Sequence, residues 1–400
     1  MIFLVKHSRD TAFIAGVVYF MQGALGISGI ALPLYLRGLQ WSIGEITAVT
    51  AIAAFPWVLK IFYGLLSDTF PLFGYRRKSY LFIAGLISAF GWMLLAFVTP
   101  EKHYIIIAMS LSNLGFAATD VITDGLLVEH STKVTSSIYQ AIAWGSRSVG
   151  SVASGLLSGW LAAHWKAHYV FLLTMCLPLT VSCCILLIRE RKFERGPFSN
   201  AVAPVRQCLK LLLEPHLKHF IVILFVVSIS ASFAIPLFFY MRETLAFPET
   251  FLGFLSSLGW AGAGLGSMIY AKWLRRVPPK ITLRWAMVIN SVNIFSSLLI
   301  VDQMSALIIV FIGGAMGCLV MLPIASSAAA ITHQSGVEGT LFAVLMSIFN
   351  VGQIVFGYIG GNLFMQIGLT PLIITAGCMA LVGLFFVEKL QLVEPCQDGS

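Results

Sequence analysis

Short polar stretches divide the sequence into a dozen apolar runs, each about twenty residues or longer, and few folds are compatible with that pattern. An α-helix rises 1.5 Å per residue, so about twenty apolar residues span the hydrocarbon core of a bilayer, whereas a barrel strand needs only about ten, in alternation. Only 10% of the 400 residues are charged and 58% are hydrophobic, against about 25% charged in a soluble domain. Such a chain cannot cover a water-facing surface, and the expected class is an all-α membrane protein.

The runs lie near 12–36, 43–66, 79–99, 104–128, 137–162 and 168–188, then 218–241, 250–272, 281–301, 304–331, 339–364 and 370–388. Six and six predict twelve transmembrane helices in two six-helix bundles. The bundles are assigned to 1–188 and 218–400, with a cytoplasmic linker over 189–217. With the N-terminus inside, nineteen of the 25 lysines and arginines fall on the inner side. The outer side holds only Arg37, Lys102, Lys166 and Arg242, and Lys60 and Arg147 remain within runs. That asymmetry puts both termini in the cytoplasm. It also accounts for the net charge of +8 as a topology signal rather than a nucleic-acid footprint. Lys6, His7, Arg9 and Asp10 lead straight into the first long run, with no short apolar segment and cleavage site of a signal peptide. The linker carries RERKFERG and an amphipathic piece, VRQCLKLLLEPHLKHF, suited either to the membrane surface or to solvent. GxxxG spacings at Gly155/Gly159, Gly262/Gly266, Gly313/Gly317 and Gly357/Gly361 predict close helix contacts.

Charged groups inside a span are costly, about 2.5–3.5 kcal/mol or more each. Four occur, all in the first half: Lys60, Asp120, Asp124 and Arg147. They are the candidate substrate-binding or proton-coupling residues. Asp120 and Asp124 share one face of the fourth span. Counting rise from the expected helix ends sets Asp120 level with Arg147, and Asp124 level with Lys60, and predicts those two pairs. A buried ion-pair network that only fixes helix register is the alternative. The seven cysteines form no CxxC pair, and His164/His168 and His216/His219 lack a third ligand, so neither metal nor cofactor is expected. No P-loop, nucleophile elbow or HExxH occurs, which leaves no motif for an enzyme or an ATP-driven pump.

GLLSDTFPLFGYRRKSY, Gly64 to Tyr80, resembles the loop signature of the major facilitator superfamily: a glycine, an aspartate four residues on, then a basic cluster. Gly64, Asp68, Arg76, Arg77 and Lys78 are the corresponding gating-loop candidates. The inserted TFPLFGY makes this copy longer than the usual form. With Pro56, Trp57 and Lys60 upstream, the stretch is similar to the folate–biopterin transporter family. DVITDGLLVEHS (Asp120 to Ser131), AWGSRSVGS (Ala143 to Ser151) and GVEGTLFAVLMSIFNVG (Gly336 to Gly352) resemble its fourth-, fifth- and eleventh-span motifs. The second-half counterpart of the loop, GSMIYAKWLRR, lacks the aspartate, so any lock of this kind is one-sided.

The resemblance implies import of a folate or pterin by alternating access, coupled to protons. A compact sequence without a long tail or transit peptide suggests a bacterial inner membrane, and a monomer is the expected state. The expected partners are the small-molecule substrate, protons and the lipid bilayer, with no nucleic acid. Uptake of S-adenosylmethionine and a non-transporting assembly scaffold are the competing readings. Cavity-lining helices of the superfamily add Tyr19, Gln22, Ser228, Ser326 and Ser327 as weaker candidates, and Asn350 and Gln353 are comparable on the eleventh span. Each of these also has a simpler reading as a packing or helix-bonding residue.

Overall fold

A computed structural model describes residues 6–130, 135–187, 190, 192, 206–208, 210–274, 276–332 and 337–390. Most of the expected linker, including 193–205, lies outside the described residues, as does part of the amphipathic piece (205 and 209). The described residues are helical almost throughout, and their only β contact is an isolated bridge between Leu72 and Tyr75. The chain divides into two compact units, 1–201 with 247–257, and 202–246 with 258–400.

The first unit contains α1 (Lys6–Ala24), α2 (Ala31–Gly38), α3 (Ile43–Ala53), α4 (Lys60–Thr69), α5 (Lys78–Phe97), α6 (Lys102–His130), α7 (Thr135–His164) and α8 (Ala167–Leu186). The second contains α9 (Pro215–Val227), α10 (Ala231–Phe239), most of α11 (Glu249–Ile269), α12 (Pro279–Ser296), α13 (Gln303–Thr332), α14 (Glu338–Ile367) and α15 (Leu369–Lys389). Ten segments among the described residues are long and apolar enough to cross a membrane. The expected fifth and ninth spans are helices, α7 and α12, but are not among the ten. Their sequences explain this: α7 is rich in serine and glycine, and α12 carries Lys280, Arg284 and two asparagines.

Three spans expected as continuous are broken. A 3-10 turn at Leu25–Ser28 separates α1 from α2, another at Phe55–Leu59 separates α3 from α4, and a third at Ser228–Ser230 separates α9 from α10. The second break follows from Pro56, whose ring nitrogen cannot donate and whose bulk displaces the preceding turn. At the third, the Ser228 hydroxyl donates to the Leu224 carbonyl at 2.8 Å and competes with the helix's own ladder.

Small residues set the closest approaches. A Cβ at Gly23 would overlap the backbone of Arg147 and Ser151, and one at Gly150 the Phe20 carbonyl. α1 and α7 therefore run backbone against backbone, and Ser154 donates across to the Gly23 carbonyl at 2.8 Å. Of the expected GxxxG pairs, Gly155/Gly159 pack against Gly253 and Ser257, and Gly262/Gly266 against Phe311 and Ala315. Gly317 and Gly357 face open space, while on the same helices Gly313 packs against Asn293 and Gly360 against Ser232.

The two units repeat one linkage. Lys78, opening α5, donates to the Leu186 carbonyl at the end of α8, 2.9 Å away. Lys280, opening α12, donates to the Glu388 carbonyl at the end of α15, also at 2.9 Å. Both partners of the second bond stand 202 places after those of the first. Similar local geometry in each half points to a chain built from two like bundles.

Candidate functional site

The charges of the first unit converge, though in different pairs from those read off helix depth. Lys60 is the first residue of α4, just past the Pro56 turn. Its Nζ lies 2.7 Å from Oδ2 of Asp120. Gln22, near the end of α1, donates from Nε2 to Oδ1 of the same carboxylate at 2.6 Å. Asp120 is 7% exposed and Gln22 8%. Asp124 instead accepts a hydrogen bond on Oδ1 from the Tyr19 hydroxyl. Arg147 forms no ion pair among the described residues, and its guanidinium lies 5.5 Å from the Trp144 ring. Its backbone carbonyl packs against Gly23, one residue past Gln22 and four past Tyr19, so Arg147 stands beside the stretch of α1 that holds both aspartates.

The expected pairs, Asp120 with Arg147 and Asp124 with Lys60, are thus corrected. The physical reason is where the helices end. α4 runs on to Thr69 and α6 to His130, past the ends of their apolar runs. At 1.5 Å per residue Lys60 then stands about 14 Å from the inner end of α4 and Asp120 about 15 Å from that of α6, so these two are level. Trp57 in the 3-10 turn at Phe55–Leu59 donates from Nε1 to Oδ1 of Asn113 at 2.8 Å, and Lys60 Nζ lies 4.7 Å from the Trp57 ring centroid. Trp57 and Asn113 join the cluster without having been singled out as site residues; the proline beside Trp57 was the available signal.

Two weaker candidates, Tyr19 and Gln22, prove to be contacts of the aspartates. The others are in the second unit. Ser228 is fully buried and also donates to the Phe349 carbonyl at 3.1 Å, which is a helix-packing arrangement. Ser326 is exposed and shares a hydrogen bond with the Tyr270 hydroxyl at 2.8 Å. Ser327 is fully buried, and Asn350 and Gln353 are partly buried.

At the junction of α4 and α5 the loop candidates form a second cluster. Asp68 Oδ1 lies 3.1 Å from Arg76 and 2.6 Å from Arg77. Arg77, 6% exposed, also reaches Glu129 at 3.5 Å and donates to the Ser67 hydroxyl at 2.7 Å. Gly125 makes room for it: a Cβ there would lie 2.9 Å from the guanidinium. Gly64 allows α4 close to α6, where its Cβ would meet Val121 at 3.2 Å. Glu190 accepts from the backbone N–H groups of Arg76, Arg77 and Lys78 at 3.1, 3.0 and 2.7 Å. Those are orphan donors at the start of α5, and a carboxylate there also suits the helix dipole. Glu129 and Glu190 were not among the sequence candidates. Glu190 stands in a basic run and reads as solvated; Glu129 sits five residues past Asp124, off its helix face, and was legible only as part of a motif.

A family model described as the BT1 family matches residues 22–373, which include every charged residue of both clusters. The chain belongs to the BT1 family. Among relatives of this BT1 protein, a folate-biopterin transporter from a Synechocystis strain is 27% identical over 401 residues, covering 94% of this chain and 81% of its own. Folate transporter 2 of Plasmodium falciparum is 23% identical, covering 87% and 80%. Solved structures with the same fold include a mutant form of the nucleoside transporter NupG, with a TM-score of 0.77 at 12% identity over 95% of this chain and 99% of that one. A POT family transporter in complex with 5-aminolevulinic acid gives 0.76 at 14% identity, over 94% and 96%. At those identities the likeness carries the fold alone. This BT1 chain is an integral, multi-pass, all-α membrane protein of the major facilitator type.

Proposed function

We propose that this protein carries a folate or related pterin across a membrane by alternating access, in symport with protons. The observation that carries the reading is the α6 cluster of Asp120, Asp124, Lys60 and Arg147 inside a chain whose named relatives are folate and folate-biopterin transporters. A charge within a membrane span is costly enough that four in one bundle call for a task. A pterin offers an adjacent ring N–H and amino group, which a carboxylate accepts as a bidentate pair. The glutamate end of a folate is anionic and suits arginine. A carboxylate within a span is also the natural proton carrier. The role is transport rather than catalysis, in a monomer of twelve spans, and the setting we propose is a bacterial inner membrane with both termini cytoplasmic.

The test is uptake of radiolabelled folate into proteoliposomes, with and without an inward proton gradient. Uptake driven by the gradient, and blocked by excess unlabelled reduced folate but not by S-adenosylmethionine, supports the reading. Folded protein that takes up labelled S-adenosylmethionine and no folate rejects the substrate class. Folded protein that moves neither returns the scaffold reading.

A further inference from the structure

We infer that the four intramembrane charges divide into a fixed frame and a working pair: Asp120, held by Lys60 and Gln22, is structural, while Asp124 and Arg147 take the substrate, with Tyr19 as the residue that positions Asp124. The substrate half of this rests on the transport reading above; the frame half does not.

Asp120 and Asp124 stand one helical turn apart on α6, yet differ in what remains open. Both oxygens of Asp120 are used, Oδ2 by Lys60 and Oδ1 by Gln22, and the residue is buried. A ligand would have to displace a charge-assisted bond to reach it, leaving Lys60 unpaired in a poorly solvated place. Asp124 is exposed, and although Tyr19 occupies its Oδ1, its Oδ2 has no hydrogen-bond partner among the described residues. Arg147, half-buried, has five N–H donors and uses none of them on a described residue. The Arg147 backbone packs against Gly23 of α1, and Asp124 is bonded to Tyr19 one turn earlier on the same helix, so an acceptor and a donor fork of opposite charge flank one stretch of α1 without a bond between them. That arrangement suits a ligand carrying both a donor pair and an acidic group. Folate has both; free biopterin has only the donor pair. Tyr19 fixes one oxygen of Asp124, which orients the plane of the carboxylate and leaves its other oxygen as the acceptor.

The frame is tested by melting purified protein, which needs no substrate. Lys60→Gln and Asp120→Asn should each lower the melting temperature by several degrees, because each leaves one buried charge alone. The double variant should recover most of that loss, and Asp124→Asn should melt like wild type. A double variant that melts as low as the singles overturns the frame assignment. The working pair is tested by uptake of labelled folate and of labelled biopterin. Asp124→Asn should cut uptake of both at least tenfold, alone or combined with Lys60→Gln. Arg147→Gln should raise KM for folate at least tenfold more than for biopterin, and an equal effect on both removes Arg147 from recognition of the acid. Tyr19→Phe should raise KM severalfold with kcat nearly unchanged; a fall in kcat at constant KM removes its positioning role. Wild type that moves neither compound rejects the transport reading and the working pair together, and leaves the frame to be judged by its melting result.

Discussion

Arg77 is a cation buried at the mouth of a helix, and its surroundings are built to tolerate it. Asp68, Glu129 and the Ser67 hydroxyl share its donors, and the missing side chain of Gly125 supplies its space. Gly125→Ala should push the guanidinium off those partners and cost about 1–3 kcal/mol, read as a lower melting temperature of the detergent-solubilised protein. A melt like that of wild type would mean the arginine has room the geometry does not show. Glu190 gives a second prediction. Glu190→Ala orphans three amides and should destabilise by about 1–2 kcal/mol, as loss of an N-cap does. Glu190→Gln keeps an acceptor and should lose less; equal losses would mean that charge near the helix dipole, not hydrogen bonding, carries the effect.

Among the elements, the α3–α4 break decides the site. Restoring a regular helix through Phe55–Leu59 would turn Lys60 by roughly 100°, five residues at about 20° each. Pro56→Ala should therefore lower the melting temperature as Lys60→Gln does, with helical content by circular dichroism unchanged or raised. A melt like that of wild type would show that Trp57 and Asn113 hold the turn without the proline. This element also marks the limit of what the sequence made legible. Runs of apolar residues announced the helices, and the cost of buried charge announced Lys60, Asp120, Asp124 and Arg147, because hydropathy and desolvation are local properties. Which charge meets which depends on α4 continuing to Thr69, three residues past its apolar run, and hydropathy does not record that. Glu190 escaped for a related reason: its partners are backbone amides 112 to 114 positions away, which have no side-chain signature.

On the scale of the whole molecule, two compact units with matching Lys78–Leu186 and Lys280–Glu388 linkages describe a doubled bundle, while the charges are not doubled. We expect each half of the chain to be a folding unit, with 247–257 of the second half adding its contacts to the first when the two are together. Residues 1–201 and 202–400 expressed as separate chains should both insert, and co-expressed should co-purify and recover measurable uptake. Aggregation of either half, with no rescue by the other, would argue that the bundles fold only in one chain.

Glu190 lies immediately beyond α8, where the chain sets out towards the second unit, and it is tied to the first turn of α5 by three hydrogen bonds. The chain that leaves α8 is therefore moored to the opening of another helix as well as to its own. A pull on Glu190 is borne by the start of α5, next to the Arg77 cage, so the third span and the sixth share the load.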